Sequence, residues 1–150
     1  MTHSNFKIEP FSDKDREKII TLWEKSVLAT HHFLKQNDFE EIKKLVQSIN
    51  FNDFEVYCLK AENVVAGFIG LAERKIEMLF LSPDYIGRGF GKKLTDFAIT
   101  ELHADKVDVN EQNESAVRFY QNFGFKVYER TTEDDQGKPY PLLRMKLESH

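Results

Sequence analysis

The spacing of apolar residues predicts a strand and two helices in the first third of the chain. Residues 5–11 are typical of a short strand, and Ser12 or Asp13 suits the N-cap of the helix that follows. The positions at helical spacing in that helix are Ile19, Leu22, Trp23, Ser26, Val27 and Thr30. A second helix, about residues 37–48, carries on one side Phe39, Ile42, Leu45, Val46 and Ile49. We expect the apolar side of each helix to face the core.

The middle of the chain changes to short apolar runs separated by polar turns. Three strands are predicted, over residues 54–60, 64–72 and 75–82. Short polar turns at Glu62-Asn63 and Glu73-Arg74 join them, so we expect an antiparallel meander. Pro83 ends the third strand because it has no N–H to donate to a neighbouring strand.

Two more helices, a strand and a hairpin complete the predicted order. A third helix starts near Gly91 and packs through Leu94, Phe97, Ala98 and Leu102. After a brief strand at 106–109, a fourth helix has Asn113 as its cap and Gly124 as its stop, and its apolar stripe is Ala116, Phe119, Tyr120 and Phe123. Residues 125–132 and 140–148 form the closing hairpin.

The resulting order is βααβββαβαββ, an α+β fold with α/β/α layers. Its sheet is mixed but mostly antiparallel and is flanked by helices. The chain has no internal repeat, no low-complexity stretch and no Pro/Gly-rich linker. We therefore expect a single domain over residues 1–150.

Composition and charge exclude several classes of partner. Of the 150 residues, 41% are hydrophobic and 31% are charged, which is ordinary for a globular protein, and the net charge is −4. A nucleic-acid partner would favour a basic face. No apolar run reaches the ~20 residues that span a bilayer, and the first residues lack the pattern of an export signal. We expect a cytoplasmic protein without nucleic-acid or membrane partners.

A glycine-rich loop before the third helix is the strongest candidate for chemistry. It consists of Gly87-Arg88-Gly89-Phe90-Gly91, followed by Lys92 and Lys93. Glycines allow a ligand to approach the backbone closely, and the free N–H groups at a helix start attract anions. A phosphate site is therefore predicted. The loop lacks the spacing of dinucleotide-binding folds and the Lys-Ser/Thr ending of a Walker loop. The alternative is a glycine-rich turn with solvated lysines.

Two motifs resemble the GNAT superfamily of N-acetyltransferases. The segment 79–94 is similar to that family's cofactor motif, Gln/Arg-x-x-Gly-x-Gly/Ala, which maps onto residues 86–91. The segment 109–125 resembles its second signature, Asn-x-x-Ala-x-x-Phe-Tyr…Gly-Phe. More narrowly, residues 23–34 and 137–143 look like the small bacterial YjaB-like branch. One residue departs from the pattern: Ile86 stands where the family has Gln or Arg.

The resemblance implies that acetyl-CoA is the cofactor and that particular residues bind it. The pyrophosphate of coenzyme A is expected on the loop, at Gly87, Arg88, Gly89, Phe90, Gly91 and Lys92. A backbone N–H within Leu79, Phe80 and Leu81 is expected to face the thioester carbonyl. Asn113 is expected to combine its role as a helix cap with a hydrogen bond to the pantetheine arm or the loop.

The resemblance also implies two catalytic residues. Glu77 is the leading candidate for the base that accepts a proton from the amine, with Glu73 and Glu24 as weaker candidates. The alternative is that Glu77 lies on an exposed part of the sheet. Tyr120 matches the family's tyrosine, which protonates the departing thiolate, although it also fits a core position.

The acceptor pocket is expected after the first helix. His31 and His32 are candidates for substrate binding, as is Tyr140 on the predicted last strand. Each of the three also fits a packing or solvated role. The acidic turn 133–135 is either a solvated hairpin tip or a site that attracts cationic acceptors.

We therefore predict an N-acetyltransferase that moves acetyl directly to an amine within a ternary complex. The single cysteine, Cys58, lies in an apolar run, and no Ser-His-Asp arrangement is evident. No residue is therefore a candidate for a covalent acetyl-enzyme intermediate. The predicted reaction also requires no metal. The rival hypotheses are a non-catalytic acyl-CoA-binding regulator and a nucleotide-phosphate-binding module. The sequence leaves open the identity of the acceptor and the choice between monomer and homodimer.

Overall fold

The computed structural model describes residues 5–148, and its elements follow the predicted order. The strands are β1 (Phe6–Pro10), β2 (Glu55–Ala61), β3 (Val64–Ala72), β4 (Lys75–Leu81), β5 (Lys106–Asn110), β6 (Phe125–Thr131) and β7 (Leu142–Leu147). The α-helices are α1 (Arg16–Thr30), α2 (Gln36–Ser48), α3 (Phe90–Glu101) and α4 (Glu114–Asn122). Short 3-10 helices at Asp13–Asp15, Phe51–Asp53 and Pro83–Tyr85 were not predicted. The predicted fold class is confirmed. No helix within residues 5–148 is both long enough and apolar enough to cross a membrane.

The strands form one sheet in the order β1-β2-β3-β4-β5-β7-β6. Neighbouring strands are antiparallel except β4 and β5, which run parallel. The predicted meander of β2, β3 and β4 is confirmed. Its tight turns place Glu62, Asn63, Glu73 and Arg74 at φ of 54°, 64°, 51° and 69°, as a two-residue turn with positive φ at both positions requires.

The strands β4 and β5 pair only where they begin. Lys75 lies opposite Lys106 and Ile76 opposite Val107, and beyond these residues the pairing stops. The other edge of β5 pairs with β7 along its whole length. The sheet therefore has two halves, β1–β4 and β5–β7–β6, with a cleft between them where β4 and β5 separate.

Apolar clusters lie on both faces of the sheet. Successive residues of β3 show this division, because Phe68 belongs to the cluster under α1 and α2, whereas Ile69 belongs to the cluster under α3. The predicted stripe of α1 is largely buried, at Ile19, Leu22, Trp23, Ser26 and Val27. The predicted stripe of α2 is too wide: Leu45 is 46% exposed. The helix packs on the core through Phe39, with Ile42 and Val46 partly buried beside it, whereas Leu45 stays at the surface.

Two boundaries differ from prediction around the loops that matter for function. The helix α3 begins at Phe90, with Gly89 as its N-cap at φ 79°. The strand β7 begins at Leu142, so Tyr140 lies in the loop before it and not on the last strand. The N–H of Tyr140 donates to the carbonyl of Lys138 at 2.7 Å, and Pro141 has no N–H to pair with a neighbouring strand.

Candidate active site

A cavity of about 420 Å³ fills the cleft between β4 and β5. The residues that line it from the α3–α4 face include Leu79, Leu81, Gly91, Phe119 and Tyr120. Those that line it from the α1 face include Ser26, Thr30, His31, Glu77 and Phe80. A register shift in the β3–β4 ladder leaves Glu77 as an extra residue, which places it on the same face as Phe80. Successive residues of a strand point to opposite faces of the sheet, so one cavity reaches both sets only by passing through the gap. The cavity thus connects the two faces of the sheet.

The glycine loop places the start of α3 at one end of this cavity. Gly87 and Gly89 have φ of 89° and 79°, a region that favours glycine. The first backbone bond of the helix joins the N–H of Lys93 to the carbonyl of Gly89, at 3.1 Å. The three preceding N–H groups, from Phe90 to Lys92, have no acceptor within the helix. They and the helix dipole form a site suited to a phosphate.

Gly91 keeps the passage between loop and cavity open. A Cβ at this position would lie 3.4 Å from the side chain of Leu81 and 3.6 Å from that of Phe119. All three residues line the cavity. A glycine therefore leaves space that any other residue would occupy, which fits a ligand that runs from the helix start into the cleft.

The other loop residues divide between core and surface. Phe90 is 2% exposed, with ring centroids 5.8 Å from Phe6 and 6.0 Å from Tyr85, so only its backbone can face a ligand. Arg88 is exposed, with its guanidinium 4.8 Å from the Tyr85 ring centroid. Lys92 is also exposed. The two cationic side chains therefore reach solvent close in sequence to the free N–H groups, and Arg88 lies 3.7 Å from the carboxylate of Glu62.

One edge of β4 offers unpaired amides to the cleft. Ser82 donates its N–H to the carbonyl of Ala66 at 2.8 Å, and bonded pairs alternate along an antiparallel ladder. In the register of β3 and β4, the backbone N–H of Phe80 therefore points toward β3. The N–H groups of Leu79 and Leu81 point toward the opposite edge of β4. Within residues 5–148, β5 has already separated from β4 at that point. These amides can therefore bind a ligand.

Asn113 and Ile86 lie at the ends of the elements that border the cavity. The Oδ1 of Asn113 accepts the N–H of Ala116 at 3.3 Å, which confirms the predicted cap of α4. Asn113 also lines the cavity. Ile86, the residue that departs from the family motif, is 52% exposed and lines the cavity as well. An apolar side chain thus stands at the start of the loop.

Tyr120 belongs both to the core and to the cavity wall. It is 6% exposed, and its ring centroid lies 5.1 Å from that of Phe119 and 5.6 Å from that of Phe125. Burial raises the pKa of its hydroxyl, which therefore stays protonated throughout the physiological range. Among residues 5–148, no hydrogen bond involves this hydroxyl, so it is available to a bound molecule.

Glu77 is an exposed residue of β4, as the alternative expectation has it, and it also lines the cavity on the α1 face, where a neighbouring lysine contacts it. The Nζ of Lys75 lies 3.3 Å from the carboxylate of Glu77 and 2.5 Å from that of Asp108. Burial disfavours the charged form of Lys75, but the two carboxylates outweigh it and raise its pKa. Lys75 therefore stays charged and holds Glu77 beside Asp108.

Asp108 is a cavity residue that the sequence analysis missed. It lies on β5 and accepts a hydrogen bond from Arg144 on β7 at 2.6 Å. Its signal was present in the sequence, because a carboxylate between Val107 and Val109 on a short central strand requires partners. The partners themselves, Lys75 and Arg144, lie on other strands and are not adjacent to it in the sequence.

The weaker candidates for the base lie outside the cavity. Glu24 forms an ion pair with Lys43 at 3.0 Å, between α1 and α2. Glu73 is exposed in the turn between β3 and β4. Glu77 is therefore the glutamate among these three that lines the cleft.

The structure separates the two histidines. His31 follows α1, is half-buried and lines the cavity, with its Nδ1 2.7 Å from the Oγ1 of Thr30. Burial, with a smaller contribution from the charge of His32, lowers the pKa of His31, so its neutral form is favoured at neutral pH. His32 is exposed and does not line the cavity.

Tyr140 and the acidic turn are engaged in contacts of their own. Tyr140 is 5% exposed and does not line the cavity; its hydroxyl donates to Asp38. In the acidic turn, Asp134 accepts backbone N–H groups, and Asp135 lies 3.1 Å from Arg144. The turn is therefore tied to the sheet and is more than a solvated tip.

Comparison with known proteins identifies the family of the chain. Residues 13–148 match the family model described as an acetyltransferase (GNAT) domain. The peptidyl-lysine N-acetyltransferase YjaB of Salmonella typhimurium is 39% identical over 132 residues, which cover 88% of this chain and 91% of that protein.

Solved structures show the same architecture. The solution structure of apo-form YjaB from Escherichia coli matches with a TM-score of 0.87 and 34% identity, covering 97% of this chain and 99% of that chain. The structure of yncA from Salmonella typhimurium with its cofactor acetyl-CoA shares the fold, with a TM-score of 0.69 and 20% identity over 98% of this chain and 96% of that one. The chain therefore belongs to the GNAT family of acetyltransferases.

Proposed function

We propose that the protein, a single domain, transfers the acetyl group of acetyl-CoA directly to the side-chain amine of a lysine in a polypeptide, with both substrates bound at once. The cavity through the sheet carries this proposal. The cofactor loop lies at its α3–α4 face, whereas Ser26, Thr30 and His31 line it from the α1 face. Two substrates can then meet in the gap from opposite sides. The peptidyl-lysine activity named for the YjaB relative supports lysine as the acceptor.

The chain's own groups fit the cofactor. When bound, acetyl-CoA supplies an acetyl group on an activated thioester. The N–H groups at the start of α3, with Arg88 and Lys92 beside them, hold the pyrophosphate. The free amides of Leu79 and Leu81 hold the arm and face the acetyl carbonyl, where negative charge develops. Asn113 contributes at the start of α4.

Direct transfer is favoured because the one thiol cannot carry the acetyl group. Cys58 is 0% exposed, on a strand of the core. Burial, with the charge of Asp15 as a further cause, raises its pKa to about 12, so its thiolate is scarce at neutral pH.

Glu77 accepts the proton that the acceptor amine must lose. A lysine amine has a pKa of ~10.4, so its neutral form costs roughly 4–5 kcal/mol at pH 7. The carboxylate of Glu77 lines the α1 side of the cavity, where the amine enters, and takes the proton directly or through water. Lys75, which is itself paired with Asp108, holds this carboxylate.

Tyr120 keeps a proton available for the departing sulfur. Its buried hydroxyl stays protonated and lines the α3–α4 side of the cavity. Donation of that proton, or of a strong hydrogen bond, stabilises the charge that develops on sulfur. Glu77 and Tyr120 thus act from opposite sides of the gap.

The acceptor is tested with a peptide that has a blocked N-terminus and one internal lysine. Mass spectrometry after incubation with acetyl-CoA should show one acetyl group on the lysine. The matched control replaces that lysine with arginine and should stay unmodified. Transfer only to free α-amines or to small amines, with no modification across a set of lysine peptides, would overturn the lysine assignment.

Gly91→Ala tests the passage from the loop to the cavity. The new Cβ would make ordinary contacts with Leu81 and Phe119, and alanine suits a helix better than glycine, so the melting temperature should not fall. The affinity for coenzyme A should drop ~10-fold or more, because the methyl group occupies the ligand's path. Calorimetry with wild-type affinity in a folded Gly91→Ala variant would show that the ligand does not pass this residue.

Tyr120→Phe removes the hydroxyl and keeps the ring. Turnover should fall ~10²-fold while the affinity for acetyl-CoA changes less than about twofold. Tyr128→Phe is the matched control, because Tyr128 is 49% exposed on β6, and it should match the wild type. Equal turnover in Tyr120→Phe and Tyr128→Phe would leave Tyr120 with a packing role alone.

Glu77→Gln tests the base through its pH dependence. At saturating acetyl-CoA, turnover should fall at pH 7 and recover partly at high pH, because each pH unit raises the neutral fraction of the amine tenfold below its pKa of ~10.4. Glu73→Gln, in the exposed turn, is the matched control. If both variants keep the wild-type rate from pH ~6 to ~9, another group or a water chain accepts the proton.

A further inference from the structure

A hydrogen-bonded cluster joins the linker between α1 and α2 to the loop before β7. The hydroxyl of Tyr140 donates to the Oδ2 of Asp38 at 2.5 Å and accepts the N–H of Lys35 at 3.2 Å. The Nζ of Lys138 lies 3.3 Å from the Oδ1 of Asp38. We call Lys35, Asp38, Lys138 and Tyr140 the clasp. The buried hydroxyl of Tyr140 thus acts both as a donor and as an acceptor toward residues at the start of α2.

The clasp connects the two halves of the sheet at the open end of the cleft. The helix α1 packs on β3 and β4, whereas β7 belongs to the other half. The N–H of Glu111, just after β5, donates to the carbonyl of Pro141 at 2.9 Å. Tyr140 therefore lies beside the end of β5 that has separated from β4. Paired backbone holds the halves together at one end of these strands, and the clasp holds them at the other.

The clasp reaches the cavity through two aromatic contacts. The ring centroid of Tyr140 lies 6.1 Å from that of Phe33, which lies 5.4 Å from that of His31. His31 lines the cavity on the α1 face, and Tyr140 does not. The linker that carries Phe33 and His31 therefore connects Tyr140 to the acceptor side of the cavity.

The charges in the clasp favour its closed form. The hydrogen bond from Tyr140, with Lys138 as a further cause, holds the pKa of Asp38 below its usual value, so the carboxylate stays ionised. A hydrogen bond to an ionised carboxylate is stronger than one between neutral groups. Asp38 also lies in the first turn of α2, where the helix dipole stabilises negative charge.

We propose that Tyr140 is a positioning residue for the acceptor: by holding Asp38 and Lys35 it fixes the linker that carries His31, and so sets the width of the acceptor end of the cavity. This inference rests on the proposed function in one respect, the entry of the acceptor from the α1 face. With the clasp closed, the linker keeps His31 in the wall of the cavity that Glu77 also lines. With the clasp open, the linker moves away and the amine is held loosely.

Tyr140→Phe tests this role, because it removes the hydroxyl and keeps the ring beside Phe33. The KM for the lysine peptide should rise ~10-fold, as expected for the loss of a hydrogen bond to a charged group. The Kd for acetyl-CoA and kcat at saturating peptide should each change less than about threefold. Tyr128→Phe, an exposed tyrosine outside the clasp, is the matched control and should leave all three constants unchanged.

A second measurement detects whether the clasp is formed, independently of catalysis. In the wild type the amide of Lys35 is protected by the hydroxyl of Tyr140, so NMR hydrogen exchange at this amide should become ~10-fold faster in Tyr140→Phe and stay unchanged in Tyr128→Phe. Asp38→Asn should also raise the KM of the peptide. The double variant should be no worse than the more affected single variant, because both changes break the same contact.

The outcomes separate this inference from the proposed function. Faster exchange at Lys35 with an unchanged acceptor KM would overturn the positioning role, and so would an equal rise in the KM for acetyl-CoA. If Tyr140→Phe fails to fold, the same constants measured on Asp38→Asn decide. If the wild type modifies no lysine peptide, the lysine assignment fails. The acceptor KM is then measured with whichever amine the enzyme does acetylate, and the same criteria apply.

Discussion

The separation of β4 from β5 is the constraint on which the site depends. In a closed sheet every backbone N–H finds a partner on the next strand. Here pairing stops after Ile76 and Val107, which leaves the amides of Leu79 and Leu81 facing a cleft. The same gap lets one cavity reach both faces of the sheet. A ligand in the cleft can complete the hydrogen bonds that the missing strand contacts would have made, so the proposed binding site follows from an interruption of the sheet.

The gap between β4 and β5 can serve as a binding site only because the strands on either side of it are held in place. Where the strands still touch, Lys75 reaches from β4 to Asp108 on β5, and Arg144 on β7 supports the same carboxylate. At the open end, Tyr140 and Asp38 link the halves across α2. Ion pairs that are partly shielded from water are screened less than surface pairs, so these contacts hold the spacing more firmly than exposed ones would. The two catalytic candidates then face a gap of defined width.

The spacing of residues along the sequence predicted the helices and strands and the proposed cofactor loop. The proposed acceptor side of the cavity is formed by contacts between residues far apart in the sequence, which such spacing does not contain. The glycines before α3 and the cap at Asn113 act on neighbouring residues, so their spacing in the sequence is informative. The order β5-β7-β6 and the cluster around Asp108 join strands that are distant in the chain. Tyr140 and Asp38 are 102 residues apart. The sequence analysis named Tyr140 as a candidate for substrate binding, but its partner Asp38 was found only in the fold.

The most direct test of the account is the affinity of a conjugate in which coenzyme A is joined through its sulfur to the amine of a lysine peptide. If cofactor and acceptor meet in one cavity through the sheet, calorimetry should give a Kd at least ~10²-fold below that of coenzyme A alone, because one molecule then uses both halves of the site. A conjugate that binds no more tightly than coenzyme A would contradict the account, since the lysine would not reach the gap from the opposite face.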